Sequence, residues 1–300
     1  MWLASLSVLA AQAAPASVDT IDVYEQRLLV RASDDACALL APTERALLDA
    51  AIRRIRDDAV LQGATPDQLD RFENRIDNGF VMDCTAAEAL PGLAAHRAQI
   101  ERLSEFEEVR FEGRVQGWTA RRGAMSADRA GWRVVQAISG GDALFGIFQD
   151  GEEAGIALAL RSAQPSAYAV AVLRDPAREP FAVDLTAGGL LPPPGVDPIS
   201  RWGAPSDRQT RVFATQSLPA ARAAQLAPAF GEPAYGFRFP DDFAARLIAL
   251  APREGVHIDL HDASGAVTAR YWIEVGALDA ALAFLALPEP VEPEPLPLAP

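Results

Sequence analysis

One stretch of this sequence concentrates residues able to hold a metal or move a proton: His257-Ile258-Asp259-Leu260-His261. On a β-strand, residues two apart share a face, so this spacing points two imidazoles and a carboxylate the same way. Such a donor set suits zinc or another transition metal. In a straight strand the row spans about 13 Å, which is wide for one ion, so a further ligand such as Asp262 would have to join it. The polar solvent face of an amphipathic hairpin accounts for the same pattern without any metal.

Other chemistries are thinned by composition. The 300-residue chain has no lysine, and all 27 of its basic residues are arginine. That removes the Schiff-base lysine, the Ser-x-x-Lys acyl-transfer site and the phosphate-gripping lysine of a P-loop. Three histidines and two cysteines remain for metal or nucleophile work. There is no Gly-x-Ser-x-Gly elbow and no His-Glu-x-x-His pair. Glu107-Glu108, Glu152-Glu153 and Asp241-Asp242 offer paired carboxylates, but sequence neighbours of this kind mark loops and helix caps. Ser126 and Ser139 sit in turn contexts. Ser139-Gly140-Gly141-Asp142 predicts a hairpin turn, since no helix follows it to cradle a phosphate. Arg121-Arg122, close to Trp118, is the one locally basic spot beside an aromatic ring. It is a possible contact for an anion such as a carboxylate or sugar acid, or else a solvated loop.

The formal net charge is −14. An acidic chain disfavours nucleic acid, whose affinity comes from neutralising phosphates, and disfavours anionic membrane surfaces. No apolar run approaches the ~20 residues that a membrane-spanning helix needs. Met1 to Ser17 carries no charged side chain, and Trp2 to Ala11 is apolar. Ala11-Gln12-Ala13 fits a small-x-small cleavage pattern, so residues 1–14 read as a signal peptide. The Arg or Lys usual before the apolar stretch is missing, and an Ala-rich leader is the alternative. Cys37 and Cys84 form an even pair, expected as one disulfide in an oxidising compartment. Two inert buried thiols are the other possibility. The pair makes neither a zinc site nor a Cys-x-x-Cys redox motif.

The elements that must carry these residues divide in two. Residues 18–104 have helical periodicity. A first helix is expected around Ile21 to Arg31. Leu48, Ile52, Ile55 and Ala59 form the stripe of the next. Thr65-Pro66-Asp67-Gln68 opens another with a capping box and a proline at the first helical position, ahead of Leu69, Phe72, Ile76 and Phe80. Thr85-Ala86-Ala87-Glu88 reads as a second capping box, and Pro91 should break the helix it starts. Cys37 is then expected in the connection before the Thr43 helix, and Cys84 just before a helix start.

From about residue 105 the period becomes that of strands. Val109 to Val115, Trp132 to Ile138, Leu144 to Phe148, Gly155 to Leu160, Tyr168 to Leu173 and Phe181 to Leu185 are the expected strands. Residues 188–206 read as a long Gly- and Pro-rich connection. A strand at Thr210 to Thr215 and a helix at Ala220 to Leu226 follow. Tyr235 to Phe239 is a strand, and Asp241 is placed to cap a helix running through Ala251. Val256 to His261 and Val267 to Val275 form a hairpin. Alternation demands that Val256, Ile258 and Leu260 share a face with Ile273, Tyr271 and Ala269. A Ser264-Gly265 turn then pairs His257 with Trp272, Asp259 with Arg270 and His261 with Thr268. A helix from Leu278 to Ala286 closes the unit. Residues 288–300, rich in Pro and Glu, favour an extended, disordered tail. The expected class is α+β: an N-terminal helical domain (18–104) with one disulfide, and a C-terminal antiparallel β-rich domain with terminal helices (105–287).

Several segments resemble the closing half of invasion-associated locus B-like periplasmic proteins. They are Phe237-Arg238-Phe239, Ala245-Arg246-Leu247-Ile248-Ala249-Leu250, Gly255-Val256-His257-Ile258, Asp262-Ala263-Ser264-Gly265-Ala266-Val267 and Gly276-Ala277-Leu278-Asp279-Ala280-Ala281-Leu282. Gly131-Trp132-Arg133-Val134 resembles the start of that domain. Together these cover about a quarter of the chain. The cysteines often found in that domain are absent here, and a helical Cys-pair segment stands in front. The resemblance implies an exported protein without catalytic residues.

The expectation is therefore a periplasmic or secreted, non-catalytic binding or interaction protein of unknown envelope partner, without cofactor. Two alternatives stand beside it. One is an exported metal-dependent hydrolase using zinc on the His257/Asp259/His261 face. The other is a protein inhibitor of an extracellular enzyme, built on the Cys37–Cys84 domain. Export is checked by N-terminal sequencing of the protein recovered from the periplasm or medium. The expected mature start is Ala14 or Pro15; a protein retained in the cytoplasm with residues 1–14 intact would refute it.

Overall fold

The computed structural model describes residues 20–79, 83–122, 131–138, 140–150, 153–161, 166–185, 196–226 and 234–288. The candidate signal peptide, the Pro-rich tail beyond Pro288, and Phe80, Ser126, Ser139 and Glu152 lie outside the described residues.

The helical half runs α1 (Thr20–Cys37), α2 (Pro42–Leu61), α3 (Pro66–Gly79), α4 (Cys84–Glu88) and α5 (Pro91–Ser104). Leu48, Ile52 and Ala59 of α2 bury against Tyr24 and Leu28 of α1, Leu69 and Ile76 of α3 and Leu93 of α5, with Ile55 and Phe72 at the margin. The Thr65 capping box forms: Thr65 N donates to Gln68 Oε1 at 2.9 Å, and Gln68 N donates to Thr65 Oγ1 at 3.3 Å. The second box does not. Asp83 caps α4 instead, accepting from Thr85 N, because the helix starts two residues earlier than its Thr suggests. Proline then separates α4 from α5, as its missing N–H requires.

Cys37 and Cys84 are bonded, with Cα atoms 5.7 Å apart. They occupy the last residue of α1 and the first of α4, so the bond ties helix end to helix end. Closing a loop of this length (sequence separation 47) restricts the unfolded chain by about 4 kcal/mol in the chain-entropy account.

Among the described residues eleven strands follow, in two antiparallel sheets. The first sheet takes β1 (Glu108–Phe111), β2 (Trp118–Arg121), β3 (Gly131–Ala137), β4 (Ala143–Asp150) and β5 (Glu153–Arg161) in sequence order, then β9 (Ala234–Phe239) and β8 (Gln216–Leu218). The second has the order β11 (Val267–Glu274), β10 (Gly255–His261), β6 (Tyr168–Arg174), β7 (Gln209–Phe213). One core joins the two sheets: Trp118, Phe145, Leu158 and Phe237 meet Ala171, Leu173, Val256, Ile258 and Ile273. Phe243 and Leu247 of α7 (Phe243–Ile248) and Phe284 of α8 (Leu278–Leu285) complete it. Leu47 of α2 and Ile100 of α5 belong to that same core, so the helical half is packed on the strands. The short helix α6 (Ala220–Leu226) covers the opposite face of the first sheet through Leu226, against Phe148 and Ala157.

In the strand half, four further expectations change. The strand expected at 109–115 breaks after Phe111, and residues 112–117 turn back into β2. A buried carboxylate takes over the backbone there. Glu274, only 2% exposed, accepts from Arg114 N at 2.6 Å and from Val115 N and Gln116 N at 2.8 Å. Gly113 is required by this close approach, since a Cβ there would lie 1.9 Å from the Gln116 carbonyl and 2.8 Å from the Glu274 carboxyl. The strand expected at Phe181 to Leu185 does not form. Both edges of β6 are already taken, by β10 and β7. Asp184 instead pairs with Arg201 at 2.6 Å. The Asp241 helix is shorter than expected: α7 ends at Ile248, where Arg53 of α2 takes the carbonyls of Ile248 and Leu250.

The last change concerns the hairpin. Its register holds for His257–Trp272 and Asp259–Arg270, but a bulge places His261 opposite Val267 rather than Thr268. Asp262 is the cause. Its Oδ1 accepts from Ser264 N and Ala266 N at 2.8 and 3.0 Å, closing a wider turn in which Gly265 takes a φ of 87°.

Glu274 is the test of this architecture. Glu274→Gln turns an amide N–H₂ toward N–H donors and leaves at least one of them unpaired. The expected loss is about 2–3 kcal/mol in urea unfolding, while a loss below ~0.5 kcal/mol would remove Glu274 from its assigned role.

Candidate functional site

Strand β10 does place His257, Asp259 and His261 along one face. That face, however, is not the solvent face expected of it: His257 is 5% and Asp259 7% exposed. The 3₁₀ turn Pro198–Trp202 lies across it, with Ile199 buried and in close approach to Gly255. Asp259 is held by both nitrogens of the Arg270 fork, at 2.6 and 2.8 Å. His257 packs against Trp272, ring centroids 4.8 Å apart, with Nε2 3.6 Å from Asp259 Oδ2. His261 is the last residue of the strand. It stacks on Tyr168 at 4.6 Å and its Nδ1 donates to the Gly265 carbonyl. A depression of about 490 Å³ opens over His257, Arg270 and Trp272, and it takes in only His257 of the three candidate ligands. Among the described residues no group of three or more His, Cys, Asp or Glu is gathered so as to hold a metal ion.

Arg121 and Arg122 also part company. Arg121 is exposed and faces Glu108 across the β1–β2 pair at 3.5 Å. Arg122 is 3% exposed, which corrects its expected anion-binding role. It lies 4.6 Å over the Phe284 ring and donates to the carbonyls of Leu103, Ser104, Phe106 and Pro288. There it ties off the C-terminal end of α5, where unpaired carbonyls attract a cation.

Among the described residues, two cavities of more than 200 Å³ lie between the helical and strand halves. The first, about 210 Å³, is lined by Arg53, Arg56, Arg174 and Arg253 with Asp57 and Phe181. Its charges are internally matched. Arg174 grips Glu254 with two 2.7 Å bonds, Arg253 pairs with Asp57, Arg53 with Asp279, and Arg56 with Asp70 and Glu73. Burial pushes the Asp57 carboxyl up, against the pull of Arg253 and Arg114. This is an ion-pair lattice that fastens α2 to the strands.

The second cavity, about 220 Å³, is different in kind. Its walls are Leu47, Ala50, Ala51 and Ile55 of α2, Ile100 and Leu103 of α5, Phe111 of β1 and Ala277 and Ala280 around the start of α8. Arg27, Arg54, His96, Gln99 and Asp279 supply the polar groups. His96 is buried, with Nε2 2.9 Å from the Glu44 carbonyl. A carbonyl only accepts, so Nε2 carries the hydrogen. Nδ1 has no hydrogen-bond partner among the described residues. Burial, reinforced by nearby Arg27, lowers the His96 pKa and keeps the ring neutral, with the Glu44 carbonyl opposing. Arg27 is half-buried, and burial alone lowers its pKa, with no carboxylate opposing the shift. Arg54 donates to the Glu112 carbonyl and has no ion pair among the described residues.

Arg27, Arg54 and His96 belong to no motif in the sequence. The signal was present in the spacing: Leu93, His96, Ile100 and Leu103 form one helical stripe, so His96 occupies a core position. What surrounds the stripe is not in the sequence pattern.

No family model matches this chain, and neither a curated protein nor a solved structure does.

The buried histidine of β10 sets a pH response. Burial, aided by Arg270, depresses His257 to about 4, against the pull of Asp259. A depressed histidine favours the fold only while neutral. Its contribution is complete above the unfolded value of about 6.5 and is lost as pH falls from there toward 4. At about 1.4 kcal/mol per unit, the loss by pH 5 is about 2 kcal/mol. His96 titrates with the same sign. Urea midpoints should therefore fall between pH 7 and pH 5, less steeply in His257→Asn. Equal slopes in the two proteins would count against the assignment.

Proposed function

We propose that this chain is an exported, non-catalytic binding protein whose small-molecule ligand enters the cavity between α2, α5 and α8. One observation carries this: an apolar cavity of about 220 Å³ in which a few polar groups converge, the usual form of a ligand site. The volume is below the range for drug-sized ligands and equals about seven waters at about 30 Å³ each. The lining includes no Ser, Thr, Cys or Tyr to act as nucleophile, and the His96 Nε2 hydrogen is already engaged by a carbonyl. Both favour binding over covalent chemistry. Export is supported by the Cys37–Cys84 bond, which suits an oxidising compartment. No helix among the described residues is long and apolar enough to cross a membrane. The resemblance to invasion-associated locus B-like proteins implies the same setting.

The cavity is tested by filling it. Calorimetric titration of the whole protein with octanoate and with 1-octanol should show at least one binding more tightly than about 1 mM, a free energy near −4 kcal/mol. Ala51→Phe, folded by circular dichroism and with an unchanged or raised melting temperature, should bind neither. Wild-type protein that binds neither, or a filled variant that still binds, would sink the proposal.

A further inference from the structure

We infer that the cavity between α2, α5 and α8 selects a small organic anion, a carboxylate with an apolar body, its head at Arg27 and Arg54; this rests on the cavity being a ligand site. The molecule carries an excess of acid, at −14, and its arginines are widely engaged by carboxylates or by chain carbonyls. Arg27 and Arg54 line the same cavity, and neither has a carboxylate partner among the described residues, though Arg54 donates to the Glu112 carbonyl. Arg27 is also withdrawn from water. A cation buried without a counter-charge is costly, and an anion bound beside it would offset that cost.

The remaining groups agree with the sign. His96 is neutral and adds no negative charge. Asp279, the cavity's one carboxylate, is already taken by Arg53 at 2.7 Å. The guanidinium fork matches a carboxylate in geometry as well as charge. Away from it, Leu47, Ile100, Leu103 and Phe111 offer only hydrocarbon. A multiply charged phosphate ester or a sugar would leave its polar groups unpaired against those walls.

The test compares octanoate, 1-octanol and octylamine by calorimetric titration at pH 7.5, using the full chain. Octanoate should bind at least tenfold more tightly than octanol, and octylamine should not bind. Arg27→Gln should leave octanol affinity within twofold of wild type and bring octanoate to within threefold of octanol. Arg54→Gln should reduce the preference as well. Arg246→Gln, which removes one exposed positive charge elsewhere, should leave the preference intact. Octanol binding as tightly as octanoate, or a preference that survives Arg27→Gln, overturns the carboxylate assignment while the cavity itself stands. Binding of none of the three overturns both.

Discussion

The carboxylate of Glu274 is the constraint around which the rest is arranged. A buried carboxylate must find donors or it destabilises the fold by several kcal/mol. Here the donors are three consecutive backbone N–H groups of residues 114–116, and supplying them breaks a strand that the sequence would otherwise continue. The Glu274 backbone is held just as firmly. Its N donates to Gln136 Oε1 at 2.9 Å, and its carbonyl accepts from Gln136 Nε2 and Trp118 Nε1. The last residue of β11 is thereby locked to β2 and β3, so one side chain joins the two sheets. The turn it shapes also carries Arg114, which reaches Asp58 and Asp57 on α2. The helical half is anchored from the same point.

Arginine does the remaining tying, and its geometry explains why a chain without lysine can do so. The planar fork makes two parallel bonds to a carboxylate or spans several carbonyls. Arg174 holds Glu254 in this way with both side chains at most 4% exposed, and Arg270 holds Asp259. Arg53 and Arg122 cover carbonyls at the ends of α7 and α5. Removing one partner of such a buried pair costs far more than the pair contributes, because an uncompensated charge remains. Arg27 and Arg54 differ in place: they line one cavity, and neither has a carboxylate partner among the described residues.

The His-x-Asp-x-His row shows how far sequence reasoning reaches into the strand half. Alternation placed His257 opposite Trp272 and Asp259 opposite Arg270, and the structure agrees. Alternation could not say which side of the sheet meets water. The Pro198–Trp202 turn, about 60 residues upstream, covers this face. Asp259 is consequently committed to Arg270, and His257 is left neutral under Trp272. The same distance effect turned Arg122 from a surface candidate into a helix cap.

By itself the sequence determined the elements that rest on local chemistry. These are the α2 stripe, the Thr65–Gln68 capping box, the proline break between α4 and α5, the strand register of the terminal hairpin and the pairing of its only two cysteines. Each depends on residues a few positions apart, or on there being no other partner. Tertiary structure alone decided which polar residues are buried, where Glu274 finds its donors, and that α1, α2, α5 and α8 enclose an apolar cavity around Arg27, Arg54 and His96. Burial and counter-charge are set by segments as far apart in the chain as Arg27 and Ala280, and no local pattern records them.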